Sequence, residues 1–183
     1  MPQLVDPNFN RTVVLLCKHR SDEGAFGVVL NRPLVTTGRV VVNVQSGGVE
    51  APRTESTLMT DRELQIWVGG PVEPQRSWIL VGSEPEGDEF AGMRVAEGLY
   101  LSTSPGLLGR MLEGHAPANA RLIVGYSGWG PGQLEAELME SAWLLGDVDR
   151  DLIFNTAPDQ MWQAGIRRLG ADPATLQMSR GVH

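Results

Sequence analysis

Apolar residues are concentrated in short runs that are separated by polar connections. Two of these runs, TVVLLCK (12–18) and AFGVVLN (25–31), are rich in β-branched residues and nearly free of polar ones. Runs of this length and composition are typical of buried strands. Because only the polar segment HRSDEG separates them, we predict a hairpin with its turn near Asp22.

The register of this hairpin determines which residues meet at its open end. A turn near Asp22 places Cys17 opposite Gly27 and Thr12 opposite Arg32. The approach DPNFNR then lies beside the exit NRP, and we expect Asp6 to be the acid nearest to Arg32.

Further strands follow along the chain. LQIWVGGPV (64–72) ends in a turn signal, and SWILVG (77–82) is a strand that could pair with it. Residues 93–104 are expected to be extended, RLIVGYS (121–127) predicts a buried strand, and DLIF (151–154) predicts a short one.

Three segments have helical spacing. Ser104 can cap a helix over 104–114, with Pro105 in its first turn. Pro131 is expected to open a second helix, and a third is predicted over 158–170. The apolar stripes of the second and third helices are Leu134, Leu138, Ala142 and Leu145, and Met161, Trp162, Ile166 and Leu169.

These elements indicate a mixed α+β fold. A chain of 183 residues suits a single domain, which we expect to span residues 1–183 with flexible ends at 1–5 and 177–183. No apolar run approaches the roughly 20 residues of a membrane span. The start MPQLVDPNFNR does not resemble a signal peptide, so a cytoplasmic location away from membranes is expected.

Charge and cysteine content exclude several classes of function. The net charge is −7, from 22 acidic and 15 basic residues, so a phosphate backbone is repelled at long range and we do not expect direct nucleic-acid binding. One cysteine and three histidines leave few ligands for a zinc site. We therefore expect no metal and no cofactor.

The segment GYSGWG (125–130) raises the question of a nucleophilic serine. In a nucleophile elbow a glycine follows two residues after the serine, but here Trp129 occupies that position. A triad of Ser127 with His19 or His115 and an acid such as Asp6 would need contacts that no spacing indicates. The simpler interpretation is that Ser127 satisfies backbone groups at a strand end.

Two other features have competing interpretations. Cys17 and His19 are two apart on a strand, as two ligands could be, yet Cys17 lies among apolar residues and suits a buried position. The loop GWGPG before a helix could hold a mono-anion, a carboxylate or a peptide terminus on its N–H groups, beside the Trp129 ring. Alternatively, its glycines permit close packing while Trp129 and Trp143 fill core volume.

Four separated motifs, DPNFNRTVVLLCKH, FGVVLNRP, GGPV and GYSGWGPGQLEAEL, together resemble the bacterial YqgE/AlgH family from about Asp6 to Gly170. The resemblance implies a cytoplasmic α+β domain with a coiled, partly split mixed β-sheet and about three packed helices. It implies no established reaction, and the AlgH name reflects a proposed regulatory role in alginate synthesis.

The chain departs from the family pattern in two places. Family members usually carry an apolar stretch before the DPNF-like motif, where this chain has only MPQLV, so we expect an edge strand there to be short or absent. Residues 35–60 are rich in valine and threonine where relatives tend to carry a short leucine-patterned helix. The structure of 35–60 therefore stays open.

The predicted functional surface joins the ends of the strong strands, since loops held by a rigid sheet are where binding residues usually lie. Its residues are Arg11, Asn31, Arg32, Gly69, Gly70, Ser127, Trp129 and Gly130. We expect a non-enzymatic regulatory or interaction domain whose partner is another protein, and a homodimer stays open. The alternative is a small-molecule-binding protein or hydrolytic enzyme that uses the pocket around Asn31, Arg32 and the 127–132 loop.

Overall fold

The computed structural model describes residues 7–36, 40–46, 54–60, 64–84 and 91–178. Asp6, the predicted flexible end at 1–5, and residues 179–183 of the predicted flexible end at 177–183 lie outside the described residues. Residues 177 and 178 complete the last helix.

Ten strands and five helices are present in these described ranges. The strands are β1 (Val14–Arg20), β2 (Gly24–Val29), β3 (Pro33–Thr36), β4 (Val40–Ser46), β5 (Thr54–Thr60), β6 (Leu64–Val68), β7 (Val72–Val81), β8 (Gly92–Ala96), β9 (Leu99–Ser102) and β10 (Ala120–Trp129). The helices are α1 (Pro105–Leu112), α2 (Gln133–Met139), α3 (Arg150–Asn155), α4 (Pro158–Arg168) and α5 (Pro173–Met178). The expectation of a mixed α+β domain is confirmed, but the expectation of about three helices is too low.

β10 is the central strand of an eight-stranded sheet with the order β1-β2-β10-β7-β9-β8. It pairs with β7 along one edge, and along the other it pairs first with β6 and then with β2. The pairing with β6 is parallel and the others are antiparallel, so the sheet is mixed. β3 extends the sheet beyond β6, while β4 and β5 form a separate hairpin.

Alternate residues of the central strands enter two different cores, because successive strand side chains point to opposite faces of a sheet. Trp78 and Leu80 belong to the cluster that contains Ile153 of α3 and Met161 of α4. Ile79 belongs to the cluster formed with α1. The sheet is therefore covered by α3 and α4 on one face and by α1 on the other.

The predicted β1–β2 hairpin is present, but its register changes within β1. Lys18 pairs with Phe26, as predicted for a turn near Asp22, whereas Leu16 pairs with Gly27. Cys17 is the extra residue of a β-bulge, so the pairs from Leu16 back to the start of β1 are offset by one residue. The predicted pairs Cys17–Gly27 and Thr12–Arg32 are therefore wrong, although the approach and exit segments still meet.

Two of the predicted strands are arranged differently. β6 and β7 do not pair with each other, because they flank opposite edges of β10. The valine-rich segment that the sequence left open forms β4 and β5, with β3 before them.

Three boundaries also differ from prediction. β10 continues to Trp129, so Ser127 lies inside a strand and not in a loop. α2 ends at Met139, and Ser141 takes a left-handed φ of 56°, which leaves Leu145 exposed rather than on a helix stripe. DLIF is helical because the Asp149 side chain accepts a hydrogen bond from the Leu152 N–H and starts α3.

Candidate functional site

Asn31 holds together the two backbone segments that carry the predicted arginines. Its side-chain oxygen accepts from the Val13 N–H at 2.9 Å, and its amide nitrogen donates to the Arg11 carbonyl at 2.8 Å. The Arg32 guanidinium donates to the carbonyl of Asn10. The structure therefore brings Arg11, Asn31 and Arg32 together where the approach and exit segments of the hairpin meet.

These three residues and the beginning of α4 line a cavity of about 590 Å³, called here the arginine cavity. Its remaining residues are Pro33, Pro158, Asp159, Trp162 and Gln163. The guanidinium carbon of Arg11 lies 5.7 Å from the centre of the Trp162 ring. The predicted neighbour of Arg32, Asp6, lies outside the described residues.

Gly69, Gly70 and Ser127 are positioned by backbone packing and do not line the arginine cavity. A Cβ on Gly70, whose φ is 151°, would lie 2.3 Å from the Tyr126 carbonyl oxygen, and one on Gly69 would lie 2.5 Å from that of Gly125. Ser127 is fully buried and its hydroxyl donates to the Gly69 carbonyl at 3.1 Å. This contact is the one expected of a serine whose hydroxyl forms a hydrogen bond with a nearby backbone group.

Trp129 and Gly130 belong to a third environment. The indole N–H groups of Trp129 and Trp143 both donate to Glu137 Oε2, at 2.9 and 2.6 Å. The two rings are 5.6 Å apart between centroids and nearly perpendicular. The Gly130 N–H donates to the Gln133 side chain at 3.0 Å, so the loop group proposed for an anion already has an acceptor.

Neither His19 nor His115 forms a hydrogen bond or an ion pair with Ser127 in the described chain. His19 Nε2 lies 2.7 Å from Glu135 Oε1, and His115 Nδ1 lies 3.8 Å from Glu113 Oε2. No Ser–His–acid arrangement is formed by these contacts.

The side chain of Cys17 is partly buried and packs against the core. Burial raises its pKa to about 12, against a smaller lowering by a backbone hydrogen bond from Val28, and the sulfur donates to the Leu15 carbonyl. A thiol with this pKa stays protonated near neutral pH and is a poor nucleophile and metal ligand.

A second cavity of about 630 Å³, which the sequence did not predict, lies between β1 and the helices α3 and α4; we call it the apolar groove. Its walls include Val14, Leu16, Trp129, Trp143, Ile166 and Leu169, together with the segment 144–149. Trp162 lines both this groove and the arginine cavity. The signal for it was the run LLGDV after α2, where apolar residues continue although the helix has ended.

The rim of the groove exposes large apolar side chains. Leu145 is 65% exposed, and Leu144, Val148 and Leu169 are each between 40% and 50% exposed. Apolar surface gathered in one place on a protein marks an interaction or ligand site more often than scattered residues do.

Comparison with known proteins places the chain in a family. The sequence model of the AlgH-like family matches residues 1–174, nearly the whole chain. The chain belongs to this family. The resemblance predicted from the four motifs is thus confirmed.

Relatives of this AlgH-like chain come from several bacteria. A "UPF0301 protein" of Myxococcus xanthus (strain DK1622) is 37% identical over 100% of this chain and 94% of its own length. Another, from Xylella fastidiosa (strain M23), is 41% identical over 94% of this chain and 86% of its own length.

Two solved structures share the fold. The solution structure of the AlgH protein from Pseudomonas aeruginosa is 30% identical, with a TM-score of 0.66 over 100% of this chain and 91% of that one. The crystal structure of protein DIP2367 from Corynebacterium diphtheriae has a TM-score of 0.63 over 97% of this chain and 85% of that one. At 20% identity, the second shows the fold alone. Among the helices of the described ranges, none has the length and apolar character needed to cross a membrane.

Proposed function

We propose that this AlgH-like protein is a cytoplasmic, non-enzymatic regulatory module that binds an apolar segment of another protein in the apolar groove. The observation that carries the proposal is the ring of exposed Leu144, Leu145, Val148 and Leu169 around a cavity of about 630 Å³. Leaving these side chains in water is costly, at about 25 cal/mol per Å² of apolar surface, and a partner segment would remove that cost.

The groove has a rigid inner wall. Glu137 accepts from both indoles, and the ring of Phe9 packs against Trp129 and Trp143 at centroid distances of 6.4 and 5.7 Å. A wall held in this way loses little conformational entropy when a ligand binds, which favours affinity.

Charge on the groove indicates the chemistry of the partner. Arg168 contacts both Asp149 and Asp151, at 2.7 and 2.9 Å, whereas the exposed Asp147 has no ion pair within the described part of the chain. The groove is therefore acidic on balance. It fits a segment with apolar side chains flanked by lysine or arginine, and a second copy of this chain would bring the same acids into opposition.

Site-specific cross-linking in the host tests this proposal. A photoreactive residue at position 145 should join reproducibly to one peptide that combines apolar and basic residues. A residue at the exposed position 113, which follows α1 on the opposite face of the sheet, should not. Val148→Asp should abolish the product because it places a desolvated acid among the rim residues.

Two results would contradict the proposal. One is a product formed only with a second copy of this chain, which would assign the groove to self-association. The other is a product that is unchanged by Val148→Asp, which would place the partner elsewhere.

The hydrolytic alternative receives no support from Ser127. Its hydroxyl is buried and is already a donor to the Gly69 carbonyl. The small-molecule alternative is supported instead by the arginine cavity, which the 127–132 loop does not line.

A further inference from the structure

Two guanidinium groups line the arginine cavity without an acidic partner among the described residues. Arg11 has a ring contact with Trp162, and Arg32 donates to the Asn10 carbonyl, but neither lies within 4.0 Å of a carboxylate in the described chain. Most exposed arginines can turn away into solvent. Here the Asn31 amide fixes the backbone of Arg11, so the side chain starts from a defined place beside the cavity.

A buried donor on the same wall also lacks an acceptor. Trp162 is 5% exposed, and its indole N–H has no hydrogen-bond partner among the described residues. Trp129 and Trp143, by contrast, both donate to Glu137. Leaving a buried N–H unpaired is unfavourable by about 1–3 kcal/mol, so a ligand that supplied an acceptor would regain that free energy.

The remaining charge in the cavity limits the ligand. Asp159 also lines it, in the first turn of α4, and would repel a group with two or more negative charges. A carboxylate has one charge and two oxygens in a plane, which matches the planar fork of a guanidinium. A phosphate would meet stronger repulsion from Asp159 and from a chain of net charge −7.

We propose that the arginine cavity is a carboxylate-binding site, in which Arg11 and Arg32 bind the carboxylate and the Trp162 indole N–H donates to an acceptor of the same ligand. The site shares Trp162 with the apolar groove but binds a different chemical group, and so extends the protein beyond the proposed function. The carboxylate can belong to a free small organic acid or to the C-terminus of a peptide, because both present the same group.

The experiment follows the five tryptophan indole N–H signals of the ¹⁵N-labelled protein by NMR. The probes are propionate, N-acetyl-trialanine with a free C-terminus, the C-terminal amide of that peptide, and inorganic phosphate. We expect a carboxylate probe to move the Trp162 signal downfield as its N–H becomes hydrogen-bonded, and Trp162→Phe assigns that signal.

Variants test which groups bind. Arg11→Gln or Arg32→Gln should each weaken binding about tenfold or more, since each removes a charge-assisted hydrogen bond. Arg167→Gln is the matched control, because it removes the same charge at a position of α4 that does not line the cavity. Trp78→Phe is the control for Trp162→Phe, since the Trp78 indole N–H is also buried without a partner among the described residues, but Trp78 does not line the arginine cavity.

The outcomes distinguish a free organic acid from a peptide C-terminus as the ligand, and they can also contradict the proposed carboxylate site. Binding of propionate supports a free acid as ligand, and binding of the free peptide alone supports a C-terminus. The proposal is overturned if no carboxylate moves the Trp162 signal up to the solubility limit, if the peptide amide binds as well as the free peptide, or if phosphate binds more tightly than propionate. Equal weakening by Arg167→Gln and Arg11→Gln would also overturn it, because binding would then follow net charge.

Discussion

His19 Nε2 lies 2.7 Å from Glu135 Oε1, which joins the end of β1 to α2. The pKa of Glu135 is lowered from its ordinary value of 4.5, first by a hydrogen bond from its own backbone N–H and then by His19. A carboxyl whose pKa is lower in the folded protein stabilises that protein above its unfolded pKa, and the contribution is lost as the pH falls through the folded pKa.

Glu135→Gln should therefore reduce the urea midpoint slightly near neutral pH, and the difference from the parent should close as the pH falls below 4.5 and through the lowered pKa of the folded protein. The measurement is a series of urea titrations between about pH 7 and pH 3. Glu140→Gln, an exposed change at the end of the same helix, serves as the control. A difference that grew on acidification would contradict the assigned direction of the pKa.

Glu137 is expected to be the more important acid of α2 for stability. Glu137→Ala would leave the indole N–H groups of Trp129 and Trp143 without their acceptor and would open the wall of the apolar groove. We expect a loss of about 2 kcal/mol in the free energy of unfolding, measured by urea titration. An equal loss in Glu140→Ala would show that the effect comes from the helix and not from the indoles.

A substitution at Gly70 tests whether this candidate binding residue is needed for close packing of the backbone. Gly70→Ala would place a Cβ 2.3 Å from the Tyr126 carbonyl oxygen at a φ of 151°, and should lower the free energy of unfolding by about 3 kcal/mol. Gly109→Ala is the matched control, because no atom lies within 4 Å of its Cβ and it is in α1. That substitution should stabilise by about 1 kcal/mol. A neutral Gly70→Ala would mean that the backbone of β10 can move aside.

Cys17 should react very slowly with a thiol reagent in the folded protein. A pKa of about 12 leaves about one thiolate in ten thousand molecules at pH 8. The rate of reaction with Ellman's reagent should therefore rise steeply in urea, once the thiol is exposed. Rapid reaction without denaturant would instead indicate that β1 opens around its bulge.

The sequence predicted well those elements whose signals are local. Ser104 and Pro105 start α1 as expected, and the side chain of Ser104 accepts from the Leu107 N–H. The β1–β2 hairpin was predicted from two apolar runs and one polar turn.

The bulge at Cys17 was missed because the residues that precede it, Val13 to Leu16, are all apolar. Alternation then cannot specify a register.

Longer-range contacts account for the other differences. The glycines of GYSGWG suggested a loop, but Gly128 pairs with Phe26 of β2 and the strand continues. The alternation of buried Ser127, exposed Gly128 and buried Trp129 is a strand signal that the glycines concealed. The arginine cavity was predicted on its β1–β2 side, whereas the contribution of α4 required the tertiary fold.

The position of β10 also has a consequence for synthesis. This strand is the last of the sheet in the chain, yet it is the one between β7 and the pair β2 and β6. A ribosome must therefore translate beyond residue 129 before these earlier strands can be joined. Until then the edges of β2, β6 and β7 that face β10 have no partner. Such late closure implies slow folding and exposure of the nascent chain to aggregation, so the protein's need for chaperones should end only when β10 has emerged.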